Sequence, residues 1–164
     1  MIILGFDPGL ATLGYGVIKK EKGSRFQMLD YGIVSTPKDV NLAVRLTMLE
    51  KGVTQIIDKF KPDEIAIEEL FFAKNVKTGI AVAHARGVVL LTAIKKCGKI
   101  FEYTPLQIKQ ALTGYGRADK PQIQKMVKMN LGLNSIPRPD DAADALAVAL
   151  CHAQTNRLSG LFSI

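Results

Sequence analysis

IILGFDPGLATLGYGVIK, at residues 2–19, contains two strand-like segments with a turn between them. Ile2–Asp7 is apolar enough for a buried strand, and Pro8-Gly9 directly after it is typical of a turn. Gly14–Lys19 and Phe26–Ser35 alternate as strands do, and residues 21–24 form the turn between them. The start of the chain therefore predicts three antiparallel strands.

The remaining chain alternates helical and strand-like patterns. Helices are predicted at 41–60, 78–94, 105–112, 121–131 and 140–155, and short strands at 64–68 and 99–103. This order predicts an α/β fold with a mixed five-stranded sheet flanked by helices. We expect one domain at residues 1–156, followed by a mobile tail at 157–164.

The length and composition fit an ordinary globular domain. At 164 residues, the chain can bury about two-thirds of its unfolded surface. No apolar run reaches the ~20 residues that span a bilayer, and no signal-like segment precedes the first strand. Cys97 and Cys151 have neither metal-ligand nor disulfide spacing. We therefore expect a cytoplasmic protein with reduced thiols and no membrane partner.

The positive charge is concentrated in one part of the chain. The whole chain carries a net charge of +7, whereas residues 70–125 alone carry +8 and the remainder carries −1. A solvated surface also tolerates such an excess. Next to a metal-dependent site, however, a polyanion such as nucleic acid is the better interpretation.

Four acidic residues are the strongest candidates for a functional site. Asp7 and Glu68 lie at the ends of predicted strands, whereas Asp141 and Asp144 share one face of the last helix and are predicted to look toward the core. Several converging carboxylates repel one another, and burying them unpaired is costly. Their expected partner is a hard divalent cation such as Mg²⁺. Such a cluster suits two-metal phosphodiester hydrolysis, with Asp7 as the bridge between the ions.

Each of these acids has a simpler alternative. Asp7 could be a turn aspartate before Pro-Gly, and Asp140 or one of the helical pair could cap the last helix. Glu69 competes with Glu68, but strand alternation puts Glu69 on the opposite face from Ala66. The two histidines, His84 and His152, lie on apolar helices and are predicted to be structural.

Three motifs together resemble one known family. GFDPGLATLGYGVI, AIEELFFAKN and PRPDDAADALAVALCH are similar, in order and spacing, to the RuvC family of Holliday-junction resolvases, and the resemblance covers roughly residues 2–155. It implies an RNase H-like fold and a homodimer that resolves four-way DNA junctions in recombination and repair. Paired nicks would be made with two Mg²⁺ ions per active site, or with Mn²⁺. The resemblance also implies contact with the RuvA–RuvB branch-migration complex.

The resemblance assigns roles to individual positions. The family's four catalytic carboxylates fall on Asp7, Glu68, Asp141 and Asp144. The family's aromatic residue near the junction centre falls on Phe71, next to Phe72, and its basic residues fall on Lys109 and Lys120.

The residues around these positions suit DNA. Phe71 and Phe72 could stack on an unpaired base while Lys74, Asn75 and Lys77 hold nearby phosphates. The alternative is that one or both rings pack in the core. Lys120 or Lys109 could stabilise developing charge at the scissile phosphate.

The helix predicted at 78–94 is apolar or small on nearly every side. Such a helix must be buried on more than one side, which in a small domain indicates a subunit interface. A four-way junction has near two-fold symmetry, so that an isologous dimer is the simplest way to make two identical nicks.

Three other functions compete with this interpretation. A related nuclease would cut RNA in hybrids, and a DNA-binding module would carry acids without catalytic use. An ATPase of the sugar-kinase type would need a second, duplicated domain, for which the chain is too short.

Overall fold

The computed structural model describes residues 1–23, 25–69 and 76–155. Within these ranges the chain forms a sheet and helices in the predicted order. The strands are β1 (Ile2–Asp7), β2 (Thr12–Lys20), β3 (Phe26–Ser35), β4 (Glu64–Glu68) and β5 (Ile100–Tyr103). The helices are α1 (Leu42–Phe60), α2 (Val76–Lys96), α3 (Pro105–Thr113), α4 (Lys120–Asn130) and α5 (Asp140–Gln154).

The sheet has the order β3-β2-β1-β4-β5. β1, β2 and β3 pair antiparallel, whereas β4 runs parallel to both β1 and β5. The predicted mixed five-stranded sheet is therefore confirmed, with β1 at its centre. The tail at 157–164 lies outside the described residues.

Strand alternation separates two apolar layers. Leu4, Phe6 and Leu13 point to the face covered by α1 and α2. Ile3 and Ile18 point to the opposite face, which α3, α4 and α5 cover. Each face of the sheet is therefore buried under helices, as the α/β prediction requires.

Glycines allow α5 to lie directly on the sheet. A Cβ atom on Gly5 would lie 2.2 Å from the Ala145 carbonyl oxygen, and one on Gly14 would lie 2.0 Å from that of Asp141. Gly16 leaves similar room for Leu146. Only hydrogen fits at these positions, so β1 and β2 hold the helix at backbone distance. The space above Gly5 is therefore occupied by another element.

Capping fixes the starts of α3 and α4. Thr104 and Asp119 each form a capping box with the glutamine three residues later, and a proline occupies the first turn of both helices. These caps determine where Lys109 and Lys120 emerge from the two helices.

Helix α2 is apolar on a side that the rest of the described chain leaves open. Ala85, Val89 and Ala93 are buried, whereas Ile80 and Leu91 are 50% and 55% exposed. By length and mean hydropathy alone, α2 would also suit a membrane span. The expectation that no apolar run is long enough was therefore wrong by this measure, although α2 also carries Lys77 and Arg86 and packs its buried side against α1.

Candidate active site

Asp7 and Glu68 meet at one end of the sheet. They are the last residues of β1 and β4, two adjacent parallel strands whose register pairs Phe6 with Ile67 one position earlier. Alternation directs both acids toward α5, and the charge of Glu68 raises the pKa of Asp7. Two acids 61 positions apart in the sequence are therefore neighbours.

The start of α5 adds the second pair of acids. Asp141 and Asp144 lie in its first two turns, and the contact of Gly14 with the Asp141 carbonyl oxygen brings this end of the helix onto β2. Both side chains are half-buried, and that of Asp144 is 28% exposed. The prediction that they look toward the core is confirmed only in part, because each side chain is half-buried. Asp144 lines a cavity, and the core contacts of α5 come from Ala142, Ala143 and the residues after Asp144.

The capping alternative does not describe these aspartates. Pro139 is the N-cap residue of α5, and no side chain caps this helix end. Asp140 instead forms an ion pair with Arg138 and accepts a hydrogen bond from Gln124. Glu69 is exposed, whereas Glu68 is half-buried beside Asp7. The structure thus separates the four candidates from the adjacent acids with which they could be confused.

The environment of Asp7 strongly disfavours the charged form of its carboxyl group. Burial, followed by the charges of Glu68, Asp144 and Asp141, raises the pKa of Asp7 to about 8, and Lys120 opposes this rise. Burial together with Asp144 also raises the pKa of Glu68, and burial raises that of Asp144. The four carboxylates are therefore near enough to disfavour one another's charge, which is the condition that a cation relieves.

Lys120 already supplies one positive charge at the site. Its Nζ lies 2.8 Å from Asp144 Oδ2 and 3.5 Å from Asp140 Oδ2. Burial alone would lower the pKa of Lys120, but these two carboxylates raise it. The ammonium group therefore stays charged at the edge of the site.

A cavity of about 210 Å³ adjoins the acids. Its charged lining is Glu68, Asp144, Lys109 and Lys120, and its apolar lining includes Pro105, Ile108 and Ile123. Lys109 also lowers the pKa of Glu68, against the larger effect of burial. The two lysines that the sequence singled out thus lie on the wall of the same cavity.

The donor set fits a hard divalent cation. Its oxygens come from carboxylates, and such oxygens are the ligands that Mg²⁺ and Mn²⁺ prefer. Within residues 1–23, 25–69 and 76–155, no three Asp, Glu, His or Cys side chains are grouped closely enough to hold a metal ion. Asp144 is ion-paired with Lys120, so coordination by all four carboxylates would require their side chains to change conformation.

The other predicted DNA-binding residues are placed only in part. Lys77 is exposed in the first turn of α2. Phe71, Phe72, Lys74 and Asn75 lie outside the described residues, so their roles stay predictions.

Part of the positive charge in 70–125 is already paired. Arg86 forms an ion pair with Glu102, and Lys96 Nζ lies 2.8 Å from Asp58 Oδ1. Less of the excess charge is therefore available to a polyanion than the sequence alone indicates.

Sequence reasoning missed two polar residues under α5. Glu64 and Tyr103 are buried and bind His152, which confirms that this histidine is structural; His84, in contrast, is exposed on α2. A signal was present, because Glu64 shares a strand face with Glu68 by alternation. The partner on α5 could not be read from the sequence, since it depends on how the helix crosses the sheet.

Comparison with known proteins identifies close relatives along the whole chain. The family model described as crossover junction endodeoxyribonuclease RuvC matches residues 3–152. The protein of this name from Alkaliphilus oremlandii is 56% identical over 164 residues, covering 100% of this chain and 99% of that protein. The one from Clostridioides difficile is 54% identical and covers 96% of this chain and 93% of its own length.

Solved structures give the same result. Thermus thermophilus RuvC in complex with a Holliday junction substrate is 36% identical, with a TM-score of 0.89, covering 94% of this chain and 93% of that chain. The yeast mitochondrial Holliday junction resolvase Ydc2 shares the fold at a TM-score of 0.68, with 12% identity over 93% of this chain and 78% of its own. The predicted RNase H-like architecture is thereby confirmed.

Proposed function

The chain belongs to the RuvC family of crossover junction endodeoxyribonucleases, and we propose that it resolves four-way DNA junctions by symmetric paired nicks. One observation carries this proposal. Asp7, Glu68, Asp141 and Asp144 come from three elements and meet at one end of the sheet beside a cavity lined by two lysines. The relative solved with a Holliday junction substrate has nearly the same backbone over almost its entire length.

The four carboxylates would hold the divalent cations of the reaction. Two Mg²⁺ ions bound there, or Mn²⁺ ions in their place, would supply Lewis-acid activation of the attacking water and stabilisation of the leaving oxygen. Asp7 would be the central ligand, because β1 is the central strand and the other three acids all raise the pKa of Asp7. Glu68, Asp141 and Asp144 would supply the remaining carboxylate oxygens.

Lys120 would stabilise negative charge rather than transfer a proton. Its pKa is raised, so it stays an ammonium group at neutral pH and can stabilise negative charge that develops at the scissile phosphate. Lys109 faces the same cavity and would help to hold the phosphate. The position of Lys120 beside Asp144 makes it the better candidate of the two for the chemical step.

The segment after β4 would contact the branch point. Phe71 and Phe72 would stack on bases that are unpaired at the crossover, with Lys74, Asn75 and Lys77 on the flanking phosphates. The proposal is supported by chain connectivity, because this segment directly follows Glu68 and its strand end.

Family membership also supports an inference about the cellular location, the pathway and the partner of the enzyme. We infer a cytoplasmic enzyme of DNA recombination and repair that cooperates with the RuvA–RuvB branch-migration complex.

The homodimer would form through α2. Ile80, Leu91 and Ile94 lie at helical spacing on its open side, and a Cβ atom on Gly87 would meet no other atom of the described chain within 4 Å. A stripe of exposed apolar residues around a small one suits close approach of a second, symmetry-related helix.

Leu91→Glu is expected to convert the dimer into a monomer, because it places two charges at the centre of an apolar contact. Sedimentation measures the change directly, and paired incision should be lost with it. Met129→Glu is the matched control, since Met129 is 62% exposed on α4. A wild-type protein that stays monomeric when concentrated would contradict the proposed interface.

The substrate assignment is tested by mapping nicks. Purified protein is incubated with an end-labelled four-way junction, a plain duplex of the same sequence and an RNA–DNA hybrid, with Mg²⁺ or with EDTA. We expect nicks at symmetric positions in the junction alone, and only with Mg²⁺. Preferential cutting of the hybrid would favour the RNA-cutting alternative, and binding without any incision would favour a DNA-binding module.

A further inference from the structure

Three buried polar side chains tie helix α5 to the sheet beneath it. Glu64 Oε2 lies 2.8 Å from His152 Nε2, and the Tyr103 hydroxyl lies 2.7 Å from His152 Nδ1. The Phe101 ring packs against the imidazole, with ring centroids 4.4 Å apart. We call Glu64, His152 and Tyr103 the clamp.

The clamp is buried throughout. Glu64, His152 and Tyr103 are 6%, 7% and 2% exposed. Burying polar groups is costly unless their hydrogen bonds are made, so these groups hold one relative arrangement of α5, β4 and β5. Apolar contacts alone would permit the helix to slide or rotate, whereas directional hydrogen bonds do not.

One proton arrangement that satisfies both hydrogen bonds carries a single charge, on Glu64. Burial raises the pKa of Tyr103, so its hydroxyl keeps the proton and can donate it to His152 Nδ1. The Nε2–H group of a neutral imidazole then donates to the Glu64 carboxylate.

Glu64 and His152 lie at the opposite ends of β4 and α5 from Glu68 and Asp144. Glu64 and Glu68 lie on one face of β4, about 13 Å apart at the usual strand rise. His152 and Asp144 are eight residues apart in α5, about 12 Å at the usual helical rise. The bond between Glu64 and His152 at one end therefore sets the position of Glu68 relative to Asp144 at the other.

Tyr103 strengthens this connection. Tyr103 lies opposite Glu68 in the pairing of β4 and β5. From this position its side chain extends to His152, where the hydroxyl makes the hydrogen bond. Thr104, the next residue, caps the helix that carries Lys109. A change in the clamp would therefore reach both sides of the cavity.

We propose that Glu64, His152 and Tyr103 are positioning residues for the nuclease, which set the axial position of α5 on β4 and so the separation of Asp144 from Glu68. The proposal rests on the proposed function, because its readout is strand cleavage. None of the three side chains need contact DNA or an ion.

Tyr103→Phe tests the clamp with the smallest change, since it removes one hydroxyl and keeps the ring. The matched control is Tyr15→Phe, which removes a hydroxyl whose pKa is raised by burial and by the nearby Asp30, on the opposite face of the sheet. Single-turnover junction cleavage is measured well below both melting temperatures, together with the junction Kd and the Mg²⁺ concentration at half-maximal rate.

We expect Tyr103→Phe to slow cleavage about tenfold and to raise the half-maximal Mg²⁺ concentration, because the carboxylates are displaced by a fraction of an ångström. The junction Kd should stay within about twofold, since the clamp is buried. Tyr15→Phe should match the wild type in all three measurements. His152→Gln, which keeps a donor toward Glu64, should cleave faster than His152→Leu.

Wild-type cleavage and Mg²⁺ dependence in Tyr103→Phe would overturn the proposal, whatever its effect on melting temperature. If His152→Leu does not fold, Tyr103→Phe still decides the outcome. Failure of the proposed function is a different result, since the wild type and Tyr15→Phe would then also leave the junction uncut.

Discussion

Asp7→Asn is expected to lower junction cleavage at least about a thousandfold while junction binding is retained. The charges of the other three acids all raise the pKa of Asp7, and an amide could not replace a carboxylate that would bind the cations of the reaction. A thousandfold loss corresponds to about 4 kcal/mol of transition-state stabilisation. Single-turnover cleavage and a gel-shift measurement of the junction Kd, both with Mg²⁺, separate the two effects.

The thermal stability of Asp7→Asn shows whether a loss of cleavage results from lost catalysis or from lost folding. The pKa of Asp7 is raised from 3.8 to about 8 in the folded protein, so the unfolded chain loses this proton first as the pH rises. In EDTA, wild-type stability should therefore fall between about pH 4 and pH 8 through this group. Asp7→Asn has no carboxyl group to ionise at this position, so this fall in stability is absent. Its melting temperature at neutral pH should therefore equal or exceed that of the wild type.

Asp58→Asn is the matched control for Asp7→Asn. It removes the same charge from an exposed ion pair with Lys96, which contributes little to stability. This variant should cut at the wild-type rate. Normal cutting by Asp7→Asn would contradict the assignment of the site.

Gly14→Ala is expected to reduce cleavage on the order of a hundredfold by moving the start of α5. The new methyl group would lie 2.0 Å from the carbonyl oxygen of Asp141, a backbone atom that can only yield if the helix shifts. Such overpacking also costs about 1–3 kcal/mol of unfolding free energy. Single-turnover cleavage and thermal melting measure the two effects on the same sample.

Gly52→Ala is the control for adding a methyl group to a tightly packed contact. Its methyl group would lie 2.6 Å from Val34 Cγ1 on the opposite face of the sheet, away from the carboxylates. A smaller loss of stability is expected there, because Val34 is a side chain and alanine favours the helix. Cleavage per folded molecule should be unchanged. If Gly14→Ala cut as fast as Gly52→Ala, close packing of α5 would not be what positions Asp141.

Local patterns were enough to predict most of the fold. Strand alternation in Ile2–Asp7 and Glu64–Glu68 predicted both the elements and the faces of their final acids, because the side-chain period of a strand is strict. The helical pair was harder. Spacing placed Asp141 and Asp144 on one face, but how far that face turns toward the core depends on Gly14 and the crossing of α5, which no local pattern encodes.

Long-range pairings account for what the sequence did not reveal. His152 was predicted to be structural from its apolar helix, yet its partners Glu64 and Tyr103 lie 88 and 49 residues away. Likewise, the positive charge of 70–125 was visible in the sequence, but the pairing of Arg86 with Glu102 became apparent only once α2 lay against β5. The residue types indicated which interactions each side chain can make, whereas tertiary packing determined which partner each one has.

Asp7, Glu68, Asp141 and Asp144 are proposed to hold the cations that drive strand cleavage. Anomalous diffraction from crystals soaked in Mn²⁺ tests this proposal most directly, because the ions are located without reference to activity. We expect two peaks about 4 Å apart among Asp7, Glu68, Asp141 and Asp144, with the peaks lost in Asp7→Asn crystals. Peaks elsewhere, or none at these side chains in a protein that still nicks junctions, would contradict the claim.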